Sequence, residues 1–193
     1  MAKSIPETFK DRFLAETHRH GNELLFVSIV DNFQCYLSDI LLEIFAKNPN
    51  SLSGKSTSNS VIFQFADMLA LRQHIINRAV LDLAYRSIED LDNYLSSQLK
   101  FRITSNSFER LKLNRYIQIR NVIAHNRGVI NQQFVDKCGA KADIIGKQVP
   151  IPYKHSVDSY LIRLARRIDF DAISKFSLAS IVISDQSAGN MNG

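Results

Sequence analysis

The feature that most constrains this fold is a long stripe of apolar residues at helical spacing between Asn22 and Phe45. Within this segment apolar side chains recur every three or four positions, at Phe26, Ile29, Val30, Phe33, Tyr36, Leu37, Ile40, Leu41 and Ile44. Polar residues such as Asp31 and Asp39 lie between them. Because residues three and four apart share one face of an α-helix, the pattern predicts an amphipathic helix that is buried along one side.

Similar periodicity elsewhere predicts an all-α protein. A shorter helix is expected from Pro6 to His20, ended by Gly21. After a polar loop over 48–60, further helices are expected over residues 61–85, 87–99, 106–127, 133–137 and 156–176. These elements predict an antiparallel up-and-down bundle of four to five long helices. A small β-hairpin is expected over residues 143–152, turning at Gly146 and Lys147.

Composition indicates one globular domain. The chain has 193 residues, of which 45% are hydrophobic and 22% charged, as in ordinary soluble proteins. We expect a single domain over residues 1–183 and a disordered tail over the small, polar residues 184–193. Cys35 and Cys138 are the only cysteines, which excludes a disulfide scaffold and favours a reducing compartment. We expect both to be buried thiols.

The N-terminal segment does not resemble a targeting sequence. Residues 1–20 lack the apolar core of a signal peptide. No window contains 18 uninterrupted apolar residues, so no transmembrane helix is expected. The sequence therefore predicts a cytoplasmic protein with no membrane partner.

The positive charge of the chain is concentrated in one segment. Between Lys100 and Arg127 there is one acid, Glu109, and there are seven basic residues: Lys100, Arg102, Arg110, Lys112, Arg115, Arg120 and Arg127. The whole chain has a net charge of +5, so this segment carries all of the excess. Charge alone leaves two interpretations open, a solvated helix face or a surface that faces phosphate groups.

The basic helix ends in residue types that suit chemistry on phosphate, Arg120-Asn121-Val122-Ile123-Ala124-His125-Asn126-Arg127-Gly128. Asn121 and His125 are four residues apart and therefore share a helix face. Arg120 lies about 100° away around the helix, an angle that its long side chain can cross. Asn126 to Gly128 should end the helix, which places His125 in its last turn. Histidine changes its charge near neutral pH, as a general acid or base must.

Such residues suit the cleavage of RNA by its own 2′-hydroxyl group. A base removes the hydroxyl proton, the oxygen attacks the adjacent phosphorus, and an acid protonates the leaving 5′-oxygen. An arginine stabilises the charged phosphorane. No metal or other cofactor is expected, because the acids nearest to His125 in the sequence are Glu109 and Asp136, and no paired carboxylates flank the motif. One histidine cannot easily be base and acid in a single step, so we expect a symmetric dimer that brings two motifs together.

The string RNxxxHNxG, followed by two apolar residues and Asn131, resembles the signature of HEPN domains, in particular the toxin-type and antiphage-type HEPN ribonucleases. The resemblance covers about residues 22–176. It implies an up-and-down helical bundle, a homodimer with both motifs in a shared cleft, and RNA cleavage without metal. It also implies a toxin–antitoxin or phage-defence setting, in which an antitoxin or another defence protein is a partner.

Residue by residue, the resemblance implies catalytic roles for Arg120, Asn121 and His125. Four neighbouring residues are expected to contact the RNA substrate, namely Asn126, Arg127, Arg115 and Lys112. Some HEPN proteins carry a tyrosine two residues after the histidine, which a partner nucleotidyltransferase modifies. This chain has Arg127 at that position, so such regulation is not expected.

A second class of function stays open beside the ribonuclease. A non-catalytic helical module that binds RNA, a nucleotide or a partner protein needs the basic face but has no use for a titrating histidine. An NTPase is excluded, because Gly54-Lys55-Ser56 lacks the earlier glycine of a phosphate-binding loop.

Overall fold

The computed structural model describes residues 8–52 and 58–178, which form an all-helical structure and confirm the predicted class. The helices are α1 (Phe9–Lys47), α2 (Asn59–Ile62), α3 (Met68–Ala84), α4 (Ile88–Leu99), α5 (Ser107–Asn126), α6 (Gln132–Cys138) and α7 (Lys154–Phe176). Two short 3-10 turns, Pro49–Leu52 and Ala142–Ile144, lie between them. The tail predicted over 184–193 lies outside the described residues, as does Pro6.

The predicted break at Gly21 is wrong, because α1 runs through this glycine without interruption. The helix begins after Thr8, whose side chain accepts a hydrogen bond from the backbone N–H of Asp11 at 3.2 Å, a capping box. Glycine ends a helix when it adopts a left-handed conformation, and Gly21 does not. An ion pair from Arg19 to Glu23 at 2.9 Å spans the glycine and supports the helix locally.

The apolar stripe of α1 is confirmed as the side of the helix that faces the core. Its most buried members are Phe26, Val30, Phe33, Leu37, Leu41 and Ile44. Along this length α1 packs against α3, α5 and α7. The hydroxyl of Tyr36 links α1 to α7, since it donates to the carboxylate of Asp169 at 2.7 Å. Burial and this carboxylate both raise the pKa of Tyr36, so the hydroxyl remains a donor.

The helix predicted over 61–85 is divided in two. A new helix, α3, begins after Asp67, whose carboxylate accepts a hydrogen bond from the backbone N–H of Ala70 at 2.8 Å. An aspartate in this position satisfies a free N–H of the first turn and so starts a helix rather than continuing one. The helix predicted over 87–99 is confirmed as α4, which is separate from α3 and is capped by the Ser87 side chain.

The basic helix α5 begins and ends as expected. Asn106 caps its first turn by accepting from the backbone N–H of Glu109 at 2.9 Å. At the other end Arg127 and then Gly128 adopt left-handed conformations, with φ of 50° and 75°. Leu111 in the first half of this helix is 62% exposed.

The predicted β-hairpin is not confirmed, because residues 143–152 contain no strand. The segment instead begins in the 3-10 turn Ala142–Ile144, and Gln148 forms an isolated antiparallel bridge with Val129. Its backbone hydrogen bonds go to the loop after α5, for example from the N–H of Val149 to the carbonyl of Gly128 at 2.8 Å. The backbone of residues 146–149 therefore pairs with residues 128–130, directly after the basic helix.

One described helix, α1, is long and apolar enough to span a membrane, whereas the sequence analysis expected none. An 18-residue window within it has a mean hydropathy of 1.3, and 28% of that window is buried. The expectation required an uninterrupted apolar run, whereas this window contains a few charged residues. Length and composition are the only basis for the assignment, and core helices of soluble proteins and signal sequences pass the same test.

Candidate functional site

The motif residues lie at the C-terminal end of α5, where their side chains meet α1. Val122 is buried and Ile123 is half-buried against the core, and they hold the helix end in place. His125 is exposed in the last turn, and no described side chain hydrogen-bonds to its imidazole. Arg120 and Asn121 are half-buried one turn earlier. The last two turns of α5 thus present an accessible imidazole and a partly enclosed guanidinium.

Arg120 is held in a defined orientation by two acceptors. Its Nε donates to the Asp31 carboxylate of α1 at 2.5 Å, and its Nη1 donates to Oδ1 of Asn121 at 3.2 Å. The side chain of Arg120 is 25% exposed and that of Asp31 is 36% exposed. The Nη2 group has no acceptor among the described residues. Arg120 therefore keeps N–H donors available for an anion while the plane of its guanidinium is fixed.

Sequence reasoning missed Asp31, which is the nearest acid to the motif in space. It lies 89 positions before Arg120 in the chain, and its helical position suggested a solvated face. The sequence feature that could have identified Asp31 is its position inside the apolar stripe, directly after the buried Val30. Only the packing of α1 on α5 identifies its partner.

Gly128 ends the motif in a crowded polar cluster with α1. A Cβ atom at this position would lie 2.9 Å from Oε1 of Gln148, 3.2 Å from a guanidinium nitrogen of Arg19 and 3.3 Å from Oε1 of Glu23. Arg19 donates to both Gln148 and Glu23. Glu23 is buried, with a relative exposure of 9%. The glycine therefore allows the Arg19–Glu23 ion pair, in which only Glu23 is buried, to approach the backbone at the end of α5.

Asn126 and Arg127, both predicted to bind substrate, also take part in the turn that ends α5. The amide nitrogen of Asn126 donates to the carbonyl of Val129 and closes the turn after α5. Arg127 occupies the left-handed C-cap position with an exposed side chain. Arg127 is thus accessible to a ligand, whereas Asn126 has one of its donors engaged in the turn.

Lys112 and Arg115 lie away from His125. Since a helix rises about 1.5 Å per residue, Lys112 is about 20 Å from His125 along α5. Its ammonium lies 4.3 Å from the centre of the Tyr160 ring. Burial, and then Glu109, raise the pKa of Tyr160, so its hydroxyl stays protonated and donates to the Glu109 carbonyl at 3.0 Å. Lys112 thus makes a cation–π contact with α7, while Arg115 remains exposed.

The two cysteines differ in their surroundings. Cys35 is exposed, so its predicted burial is wrong, and Cys138 is half-buried. Burial raises the pKa of the Cys138 thiol, and the charge of Arg115 opposes this only in part. Cys138 is therefore mainly in the unreactive thiol form at neutral pH.

Tertiary contacts also compensate part of the positive charge of the basic segment through ion pairs. Arg110 pairs with Glu89 at 3.4 Å, and Arg120 pairs with Asp31. The acid Glu109 binds Arg167 of α7 at 3.2 Å. Within residues 8–52 and 58–178, no group of three or more His, Cys, Asp or Glu side chains is arranged to hold a metal ion.

Comparison of the chain with protein-family models, with curated proteins and with solved structures finds no match in any of the three.

Proposed function

We propose that this protein is a metal-independent endoribonuclease that cleaves RNA by attack of the 2′-hydroxyl group. In this proposal it has the antiparallel up-and-down bundle of a HEPN domain and acts as a homodimer in the cytoplasm. The resemblance in the motif supports a role in a toxin–antitoxin or phage-defence system, with an antitoxin or another defence protein as partner.

The observation that carries the proposal is an oriented Arg120 on the same helix end as an accessible His125. The guanidinium is fixed by Asp31 and Asn121, yet its Nη2 group has no acceptor among the described side chains. His125 is exposed in the last turn of the same helix. Fixed donors that need no reorganisation are what stabilises a phosphorane most effectively.

Each residue then has a defined chemical role. His125 removes the 2′-hydroxyl proton or protonates the leaving 5′-oxygen, and Arg120 donates to the phosphorane oxygens. The Oδ1 atom of Asn121 accepts from Arg120, which leaves its amide N–H groups for the scissile phosphate. Arg127, exposed at the C-cap, contributes a further charge to the approaching strand.

The homodimer supplies the second histidine that acid–base catalysis requires. Dimer interfaces bury apolar side chains in their core, and α1 exposes several such residues over its N-terminal half: Phe9, Phe13, Leu14, Leu24 and Leu25. These residues lie on the same helix as Arg19 and Glu23, which contact the end of the motif. A second copy that covers this surface therefore lies near both motif ends.

The proposed chemistry predicts cleavage of RNA in EDTA. The purified chain should cut a single-stranded RNA panel and leave products with 2′,3′-cyclic phosphate ends, because the nucleophile is the neighbouring 2′-hydroxyl. A substrate with 2′-deoxyribose at the cleavage position should remain uncut, and this provides the matched control. Mass spectrometry of the products and mass measurement of the protein in solution check the mechanism and the dimer.

Cleavage that requires added magnesium, or cleavage of the 2′-deoxy substrate, would contradict the mechanism. A protein that stays monomeric at micromolar concentration while cutting RNA would contradict the composite site.

Asp31 is expected to act as a positioning residue for Arg120. Asp31→Asn keeps an oxygen acceptor but removes the charge that orients the guanidinium, so kcat for RNA should fall by roughly ten-fold or more, with KM little changed. Asp39→Asn is the matched control, since Asp39 is an exposed acid on the same helix. The thermal unfolding temperature should change little in Asp39→Asn and fall modestly in Asp31→Asn, because the Asp31–Arg120 pair is half-buried and the asparagine still offers an acceptor to Arg120. Faster cleavage by Asp31→Asn would mean that Asp31 competes with the phosphate instead.

The same ion pair supports a second candidate function. With Arg120 neutralised by Asp31, the helix end resembles a structural contact, and the exposed basic residues Arg115 and Arg127 suit a non-catalytic module that binds RNA, a nucleotide or a partner protein. RNA binding without cleavage of any substrate in the panel would favour this candidate.

A further inference from the structure

A second basic region lies at the opposite end of α5 from the motif. It is a cleft of about 710 Å³ formed by the end of α4, the loop between α4 and α5, and the C-terminal half of α7. Its lining includes four cationic side chains, namely Lys100, Arg102, Arg167 and Lys175. Asp171 is the one acid in that lining. From the start of α5 to Arg120 the helix extends about 20 Å, so this cleft is distinct from the Arg120–His125 site.

The cleft has a rigid floor. Asp92 of α4 is buried, and its carboxylate accepts from the backbone N–H groups of Ile103 and Thr104 at 2.7 and 3.2 Å. Arg167 donates to the carbonyl of Ile103 and to the carboxylates of Glu109 and Asp171. These bonds fix the backbone of the loop on which Arg102 lies and hold the Arg167 side chain in place before any ligand binds.

Three of the four cations have no acidic partner. No carboxylate of the described residues pairs with Lys100, Arg102 or Lys175, and all three are exposed. The charge of Arg167 is compensated by Glu109 and Asp171. Its Nε–H is nevertheless buried without an acceptor among the described residues, which is uncommon in folded proteins. Like charges brought together repel one another, and an anion in the cleft removes this repulsion.

The neutral groups that line the cleft favour phosphate as the anion. Serine hydroxyls line the cleft at Ser96, Ser105 and Ser174. Hydroxyl and cationic donors together are typical of phosphate sites, since each phosphate oxygen accepts several hydrogen bonds. The volume lies within the range of small-molecule sites, roughly 300–1,000 Å³, and exceeds what a single inorganic ion needs.

We infer that this cleft binds a phosphate-bearing nucleotide, through Lys100, Arg102 and Lys175. The inference is independent of the proposed ribonuclease activity, because it uses none of the motif residues. Its ligand is either a free nucleotide or a nucleotide within an RNA strand that extends along the protein.

The test is equilibrium binding of two probes, ADP without metal and a fluorescently labelled single-stranded RNA. The RNA is measured in the His125→Ala background so that it remains intact. We expect Lys100→Gln/Lys175→Gln to weaken binding by roughly ten-fold or more, because bonds to charged groups are lost, and to reduce its dependence on salt. Lys141→Gln/Lys147→Gln is the matched control, since it changes the net charge equally at two exposed lysines outside the cleft.

The two probes distinguish the sources of the phosphate. Binding of ADP that depends on the cleft lysines identifies a free nucleotide as ligand, and cleft-dependent binding of RNA alone identifies a strand. The inference is overturned if neither probe binds, or if the cleft variant and the control variant bind equally well. Arg120→Ala should retain cleft-dependent ADP binding, whatever its effect on RNA cleavage. Circular dichroism checks that each variant is folded.

Discussion

Replacing His125 with alanine is expected to slow RNA cleavage by roughly 10²–10⁴-fold, the usual contribution of a general acid or base. The substitution should leave the fold intact, because His125 is exposed and no described side chain depends on its imidazole. RNA binding should persist, since Arg120 and Arg127 keep their charges. The measurement is the initial rate of cleavage in EDTA, with thermal unfolding recorded alongside.

His155→Ala is the matched control for this experiment. His155 is likewise an exposed histidine in a helix, and it lies at the start of α7. Its removal should leave the cleavage rate unchanged. If His125→Ala cleaves RNA as fast as the unaltered protein, the proposed function is contradicted. If neither protein cleaves RNA, the non-catalytic alternative is favoured.

Gly128→Ala is expected to lower the free energy of unfolding by about 2–3 kcal/mol. A left-handed conformation costs an alanine roughly 1–2 kcal/mol, and overpacking typically adds about 1–3 kcal/mol. The new Cβ would lie 2.9 Å from Oε1 of Gln148 and 3.2 Å from Arg19. Both atoms are the far ends of flexible, exposed side chains that can shift, so the crowding costs at the low end of that range. Urea denaturation provides the measurement.

Gly139→Ala separates backbone strain from crowding. Gly139 has a φ of 60°, close to that of Gly128, but a Cβ there would meet no atom within 4 Å. Its replacement should cost only the conformational part, roughly 1–2 kcal/mol. Equal destabilisation by the two substitutions would show that crowding against Arg19 and Glu23 at the end of α5 adds nothing to the loss of unfolding free energy.

Features that depend on neighbours within one helical turn were predictable from the sequence. The stripe from Phe26 to Ile44 and the caps at Ser87 and Asn106 involve residues three or four positions apart. The wrong predictions arise where two local signals compete. Gly21 resembles a helix end but is spanned by the Arg19–Glu23 pair, and Asp67 starts a helix within a periodic segment.

The candidate site was predictable only in part, for the same reason. The residue types Arg120, Asn121 and His125 and their place at a helix end follow from local sequence. The predicted strands over 143–152 are not confirmed, because residues 146–149 hydrogen-bond to the loop after α5, which is 16–21 positions away. Pairings at that distance depend on how the helices pack, which periodicity does not describe.

The sequence by itself determined the all-helical class, the buried side of α1 and the chemical character of the motif, because hydrophobic spacing and capping act over a few residues. The tertiary structure decided which charges are free. It placed Asp31 against Arg120 and Glu89 against Arg110, and among the residues that the structure describes it gave Lys100, Arg102 and Lys175, around one cleft, no acidic partner. Electrostatic interactions act between groups that are close in space, and only the packing of the helices sets those distances.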